Sequence, residues 1–359
     1  ADHRKAAFGL NKPQGAPKEG GIKAMGKGKL GICVVGLGIG YAHAKSYSKM
    51  EDVDLYVCDA DRAKVERAKA ELEVKGTFGT IDEVLESPKI DAVDISLPHD
   101  MHKDVAVKAA EAGKHIMVEK PIARNLAEAD EMIEAAERAG VKLMVAEWQR
   151  FAPSIVKARE FIGEGLLGEV FLVCVYQLGF VRITGWRLSK ERTGGGNLID
   201  SGIHAVNALR SLGGADVEIV FSQTTRLVLK EMEGEDTSVT VVRFRNGVVG
   251  NLITSWGIST PGPHAYFTVY GTDGSLWEQL GDDGGLYIRS SRLPEAYEEP
   301  VKVDLPKVSG FEAECRHFVE CILEDKEPIT GPREARADLE LVVAAYRSAE
   351  TGMPVRLPL

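Results

Sequence analysis

The chain has 359 residues, of which 44% are apolar and 27% charged, with a formal net charge of −10 and a pI near 5.5. That length exceeds what one hydrophobic core usually serves, so two domains are the default. The acidic balance excludes a nucleic-acid footprint over the body of the protein. No apolar run reaches the roughly 18 residues of a membrane span, and the start carries no hydrophobic signal segment, so a cytoplasmic enzyme is the expectation.

Residues 1–29 are rich in Gly, Lys and Pro, carry seven Lys/Arg against two acids, and lack periodicity. Such a segment cannot build a core of its own. It reads either as a flexible tail or as an arm that lies against a partner subunit. From Leu30 the pattern changes. Leu30–Val35 is a buried-strand run, Gly36-Leu37-Gly38-Ile39-Gly40 follows, and a short helical stretch runs to Met50. Strand, glycine turn and helix form the context of a dinucleotide fingerprint: glycines let the backbone approach a pyrophosphate, and the helix N-terminus offers it free N–H groups. The spacing is imperfect, because Tyr41 holds the place of the usual third glycine.

The next strand, Leu55–Cys58, ends on Asp59, 21 residues after Gly38. An acid there accepts both hydroxyls of the adenosine ribose and repels a 2′-phosphate, which favours NAD over NADP. Arg62 keeps NADP as the lesser alternative, and Asp59 could also cap the helix predicted over Arg62–Glu73. Strands are then expected at Ile90–Leu97, at His115–Glu119 and over Lys142–Ala146. Helices should run from Pro98 to Ala112 and from Leu126 to Ala139, the latter with apolar residues at Leu126, Ala129, Ile133 and Ala136. This alternation predicts a doubly wound parallel sheet, an α/β domain over 30–148. Lys120 closes the His115 strand, and Pro121 breaks it. A lysine at the carboxyl edge of a parallel sheet stands where such folds bind ligands.

Past a helix at Pro153–Glu164 the character shifts to strands: Glu169–Phe180, Val217–Leu229, Ser238–Phe244, Val248–Ser255 and Tyr266–Tyr270, with turns at Asn246-Gly247 and Asp273-Gly274. Helices at Phe311–Leu323 and Arg333–Thr351 finish the chain. The expectation for 149–359 is an α+β domain with a large, mainly antiparallel, open-faced sheet, its last helices packing back on the first domain. Cys33, Cys58, Cys174, Cys315 and Cys321 form no Cys-x-x-Cys pair, and their apolar settings predict reduced, buried thiols and no metal.

Between the first two strands of that sheet lies Gly194-Gly195-Gly196-Asn197-Leu198-Ile199-Asp200-Ser201-Gly202-Ile203-His204. If this is one helix, Asp200 and His204 share a face, and the carboxylate can orient the imidazole as a general base.

Several motifs together resemble the Gfo/Idh/MocA oxidoreductases (glucose–fructose oxidoreductase, inositol dehydrogenase and rhizopine-catabolism proteins). They are the glycine loop with His43, Leu97-Pro98 with His102, Ala112-Gly113-Lys114-His115 leading to Glu119-Lys120-Pro121, Arg150-Phe151 with Pro153, Gly194-Gly195-Gly196 leading to Asp200 and His204, and Ser348-Ala349-Glu350-Thr351-Gly352. The likeness covers nearly everything from Leu30 onward. It implies a Rossmann domain followed by an open-faced sheet, a small-molecule sugar or cyclitol substrate oxidised at a secondary alcohol with NAD, and Lys120, Asp200 and His204 as the catalytic set. It also implies a cis Lys120–Pro121 bond and a homodimer or homotetramer built through the second sheet, to which residues 1–29 would add if they form an arm rather than a tail. Neither nucleic acid nor membrane is an expected partner. Cofactor contacts are expected from Gly36, Gly38, Ile39, Gly40, Asp59, Arg62, Ser96, Leu97, Pro98, His102, Glu119 and Lys120. Substrate contacts are expected from Trp148, Gln149, Arg150, Tyr176, Gln177, Trp186, Arg187 and His264, while Trp256 and Trp277 are assigned to packing. Asn207 stands where many members carry Asp, and Trp148-Gln149 replaces a more usual pair. Two other activities fit the same motifs: an NAD-dependent glycoside hydrolase that recycles its hydride, and a non-catalytic NAD(P)-binding regulator.

Overall fold

The run Leu30–Val35 is buried along its whole length, and a strand buried on both faces needs helices above and below it. The computed structural model describes residues 28–262, 264–281 and 284–359, so the N-terminal arm lies outside the described residues except for its last two. The chain runs β1 (Leu30–Val35), α1 (Gly40–Tyr47), β2 (Val53–Cys58), α2 (Arg62–Glu71), β3 (Val74–Phe78), α3 (Ile81–Glu86), β4 (Ala92–Ile95), α4 (His99–Glu111), β5 (His115–Glu119), α5 (Leu126–Ala139) and β6 (Leu143–Ala146). The strands form one parallel sheet in the order β3-β2-β1-β4-β5-β6. β3 and α3 were not legible beforehand. Val74–Phe78 alternates half-buried with exposed residues at the sheet edge and has Gly76 at its middle, so it offers no apolar run. Asp61 caps α2 by accepting from the Ala63 N–H at 2.9 Å, which corrects the alternative that gave this role to Asp59.

The second part runs α6 (Pro153–Gly163), β7 (Val170–Leu178), two one-turn helices α7 (Lys190–Thr193) and α8 (Asn197–Asp200), then α9 (Gly202–Gly213), β8 (Val217–Thr225), β9 (Thr237–Phe244) and β10 (Val249–Ser255). It continues with β11 (Ala265–Gly271), β12 (Gly274–Gln279), β13 (Gly285–Ser290), β14 (Val301–Lys302), α10 (Gly310–Leu323), α11 (Pro332–Thr351) and β15 (Val355–Arg356). The sheet has nine strands in the order β14-β13-β12-β11-β7-β10-β9-β8-β15. It is antiparallel apart from β7 and β10, which pair in parallel. The strand expected over Val217–Leu229 stops at Thr225, because Asp236 then holds the Val228 and Leu229 N–H groups in a turn.

Side-chain alternation gives this sheet two different faces. Val175, Val220, Val242, Leu252 and Phe267 lie on the face covered by α9 and α11 and are buried. A registered row from Phe221 through Val241, Asn251, Cys174, Thr268 and Trp277 to Tyr287 lies on the other face. No helix covers that row among the described residues, and Val241 and Phe221 are 43% and 38% exposed. Cys174 accordingly departs from the expectation of buried thiols. It is half-buried, whereas the other four free cysteines are buried.

α10 leaves the second sheet and returns to the first. Cys315, Phe318 and Val319 join Leu30, Ile32, Tyr47 and Met117 in one apolar cluster, and Arg316 pairs with Asp52 through both guanidinium nitrogens, one contact at 2.6 Å. Phe318 is fully buried. Phe318→Ala is expected to lower the unfolding free energy by about 3–5 kcal/mol, measured by denaturant titration. A loss below about 1 kcal/mol would contradict this anchoring of α10.

Candidate active site

The site is assembled at the carboxyl edge of the first sheet, where β1, β4, β5 and β6 all end. After β1 the chain turns at Gly36, whose φ of +95° suits glycine. A Cβ on Gly36 would meet the Ser96 carbonyl at 2.3 Å, and one on Gly40 would meet the Ser96 Cβ at 2.7 Å, whereas Gly38 faces open space. The loop is thus pressed onto β4 on one side and bare on the other. α1 begins with no side-chain cap, which leaves its first N–H groups for an anion. At the end of β2, Asp59 accepts from the Leu37 N–H at 2.6 Å and from the Asp61 N–H at 2.7 Å. An uncapped helix, a bare glycine loop and a strand-end carboxylate tied to that loop fit NAD. Arg62 is exposed. Ser96 is buried and donates to Asp94 at 3.0 Å, so it supports the loop from below rather than opening toward a cofactor.

β5 ends on Glu119-Lys120, and the Lys120–Pro121 bond is cis. His102, expected at the cofactor, is fully buried. Its Nδ1 lies 2.9 Å from the Pro121 carbonyl and its Nε2 2.9 Å from the Leu97 carbonyl; burial lowers its pKa and favours the neutral ring, whose single N–H donates to one of these two turns behind the site.

Lys120 Nζ donates to the Asp200 backbone carbonyl at 2.8 Å and to its carboxylate at 3.2 Å. Arg187 Nε donates to the other Asp200 oxygen at 2.7 Å, and the Arg187 guanidinium covers the Trp186 ring at 4.5 Å. Burial would raise the Asp200 carboxyl, but Lys120, His99 and Arg187 around it hold it well below the usual carboxylate range. His99 is sealed in by burial, which drives its pKa down to about 3, and its Nδ1–H donates to the Thr193 carbonyl at 2.9 Å.

The expected Asp200–His204 pair does not form as such. α8 ends at Asp200 and α9 starts at Gly202, so the two residues do not share one uninterrupted helix. His204 Nδ1 instead meets both carboxylate oxygens of Glu147, at 2.6 and 2.8 Å. Sequence reasoning missed Glu147, although it closes β6 as Lys120 follows β5, and the same strand-end rule would have found it.

Two adjoining cavities open here. The smaller, of about 160 Å³, is lined by Ile39, Leu97, His99, Glu119, Lys120, Trp148, Trp186, Arg187 and His204. The larger, of about 400 Å³, includes Lys120, Asp200, Arg187, Gln177, Arg182 and Trp256. Trp256, assigned to packing from sequence, therefore also faces a cavity. Trp148 stacks on Phe311 with ring centres 5.1 Å apart and presents an edge to His204 at 6.0 Å. Four residues expected at the substrate line neither cavity. Tyr176 alternates with Gln177 and falls on the open face of the sheet, opposite Ile253. Gln149 is bonded to the Tyr266 hydroxyl. Arg150 faces Arg159, Glu334 and Asp338, its pKa lowered to about 10 by burial. His264 lines neither cavity, and its Nδ1 meets the Gly262 carbonyl.

A family model described as "Oxidoreductase family, NAD-binding Rossmann fold" matches residues 30–147, and one described as "Oxidoreductase family, C-terminal alpha/beta domain" matches residues 159–357. The chain belongs to the Gfo/Idh/MocA oxidoreductases. It is similar to scyllo-inositol 2-dehydrogenase (NAD(+)) of Bacillus subtilis, 32% identical over 90% of this chain and 95% of the relative. It is also similar to myo-inositol 2-dehydrogenase of Thermotoga maritima, 28% identical over 91% and 98%. A crystal structure of an aldose-aldose oxidoreductase from Caulobacter crescentus, complexed with glycerol, superposes with a TM-score of 0.81 at 27% identity, covering 92% of this chain and all of that one. As a Gfo/Idh/MocA oxidoreductase the chain is an NAD-dependent dehydrogenase whose first sheet is the NAD-binding one.

Beneath the site of this oxidoreductase lies a buried ionisable cluster. His43 Nδ1 is 3.0 Å from Asp94, and its Nε2 is 3.5 Å from Glu119 and 3.4 Å from Glu314. Burial raises the Glu314 carboxyl to about 8, with His43 only partly opposing it. A carboxyl with a folded pKa above its ordinary 4.5 binds more protons in the folded state, so its contribution makes stability fall as pH rises through that window. His99, with its pKa lowered to about 3, pulls the other way up to its ordinary 6.5, so the Glu314 share is read by difference: in a thermal scan series the parent's melting temperature relative to that of Glu314→Gln is expected to fall as pH rises from 5 to about 8. An unchanged slope in the variant would refute the assignment.

Proposed function

We propose that the chain moves a hydride between NAD and a secondary carbinol of a sugar or cyclitol, with Lys120 and His204 as its catalytic residues. What carries the reading is that these two side chains, at ends of different elements, line one small cavity with Ile39 of the glycine loop and Glu119. Bound NAD supplies the hydride acceptor at that cavity. A carboxylate can be paired only by an N–H, so the Glu147 contact puts the His204 proton on Nδ1 and leaves Nε2 as the free base. Nε2 takes the hydroxyl proton, and the Glu147 carboxylate stabilises the imidazolium that results. Lys120 has three N–H donors, two of which go to Asp200. The third meets the developing alkoxide. Asp200 thus serves Lys120, and Glu147 performs for His204 the orienting task that the sequence suggested for Asp200.

Absorbance of reduced nicotinamide, read after mixing the protein with NAD and a panel of cyclitols, sugars and glycosides, tests the reading. No reduction with any of them would sink it. On the best substrate, Lys120→Ala and His204→Ala should each lower kcat by about 10²–10⁴-fold. Glu147→Gln should do nearly the same through the wrong tautomer, with NAD affinity held by all three. Equal losses of NAD affinity and turnover would argue against these roles.

We further propose that two copies meet through the open face of the nine-stranded sheet, in the cytoplasm, where unpaired cysteines and a soluble NAD pool coexist. Phe221, Val239, Val241, Val249 and Tyr270 are exposed there, and contiguous apolar surface of this kind marks an interface. Light scattering should give a multiple of the 39.0 kDa chain. Val239→Lys with Val241→Lys should shift it to the monomer, and a monomeric parent protein would overturn the proposal.

A further inference from the structure

The larger cavity carries a charge pattern unlike that of the chain around it. The protein is acidic, with a net charge of −10. The charged side chains lining this cavity are nevertheless Lys120, Arg182 and Arg187 against the single carboxylate of Asp200. Asp200 is already committed, one oxygen to Lys120 and the other to Arg187. Arg187 contributes only its Nε to that bond, so its terminal nitrogens stay available. Among the described residues Arg182 has neither an ion-pair nor a hydrogen-bond partner. Two guanidinium groups with free donors, on the wall of a cavity that also holds the Lys120 ammonium, attract an anion.

Gln177 supplies a second, independent mark. Its side-chain oxygen is buried without a hydrogen-bond partner, and the residue is part of the lining of the same cavity. A buried acceptor left unpaired is costly unless a ligand donates to it, and a sugar hydroxyl is such a donor.

We infer that the substrate is an anionic polyol, a sugar or cyclitol bearing a carboxylate or a phosphate at the end remote from the reacting carbinol. The anion lies between Arg182 and Arg187, and a neighbouring hydroxyl donates to Gln177. Planar guanidinium forks match both carboxylate and phosphate oxygens. This inference rests on the dehydrogenase reading above for the position of the carbinol, but the cationic wall stands without it.

The test uses the full chain and matched triples of one hexose, its uronate and its 6-phosphate. NADH formation is measured on each, and direct binding of each to the NADH-loaded protein is followed by calorimetry. The uronate or the phosphate should exceed the neutral hexose in kcat/KM by roughly 10- to 100-fold, the worth of a charge-assisted hydrogen bond, and whichever leads names the anion. Arg182→Gln should raise KM for that anion by a similar factor and narrow its lead over the neutral sugar, while Arg182→Lys should restore part of it. Raising the salt concentration should weaken the anion and not the hexose. Neutral hexose preferred over both anions, or Arg182→Gln weakening all three alike, would overturn the inference. Anion binding that depends on Arg182, without NADH formation from any compound, would uphold the anion site and sink the dehydrogenase reading. Absence of anion binding would sink the inference alone.

Discussion

The contact on which the rest depends is the one between the Lys120 ammonium and Asp200. Lys120 follows the last residue of a strand in the first sheet, and Asp200 ends a one-turn helix that belongs to the second. Both are largely buried, with side-chain exposures of 13% and 3%. Removing two charges from water costs several kcal/mol per ion, which attraction repays only with good geometry and further hydrogen bonds. Here the further bonds are present: Asp200 adds its backbone carbonyl toward Lys120 and its second oxygen toward Arg187. The pair is therefore better understood as setting a position than as adding stability. It fixes where the ammonium points, and with it the geometry of the seam between the two sheets.

The surrounding polar groups repeat this pattern of a charged side chain made rigid by a neighbour from a distant part of the chain. Glu147 at the end of β6 meets His204 of α9. His102 of α4 stands between the carbonyls of Pro121 and Leu97. His43 of α1 stands among Asp94, Glu119 and Glu314, the last from α10 near the end of the chain. Because each buried group is charged or strongly polar, loosening one partner leaves another unpaired in a poor solvent. The geometry near Lys120 is thereby tied to α10 and to its apolar anchor around Phe318. Such cross-ties restrict how far these side chains can move relative to one another.

The second sheet divides its work by parity. Gln177, Leu178 and Ser255, at the ends of β7 and β10, line the cavity, whereas Tyr176 lies on the surface that carries Val241 and Cys174. A strand turns every second side chain outward, so one sheet carries both a buried apolar face and an exposed one.

Much of this was legible in the chain before folding. The glycine loop, the acid at the end of β2, the apolar strand runs of the first sheet and the lysine before Pro121 are local patterns, in which neighbouring residues by themselves specify strand, turn and helix. They established the Rossmann fold, the NAD-binding edge and Lys120 in its strand-end position. The edge strand β3 escaped because its alternation is weak and glycine interrupts it. The partner of His204 escaped for a different reason. Asp200 lies four residues from His204 and Glu147 lies 57 residues away, so proximity in sequence favoured the wrong carboxylate. That Tyr176, Gln149, Arg150 and His264 line neither cavity was equally out of reach, since a polar residue in a plausible segment says nothing about the face on which it emerges. Local chemistry determines which elements form and which end of a sheet binds. Which side chains meet across the seam is decided only by tertiary packing, because those contacts join residues whose spacing along the chain carries no trace of their distance in space.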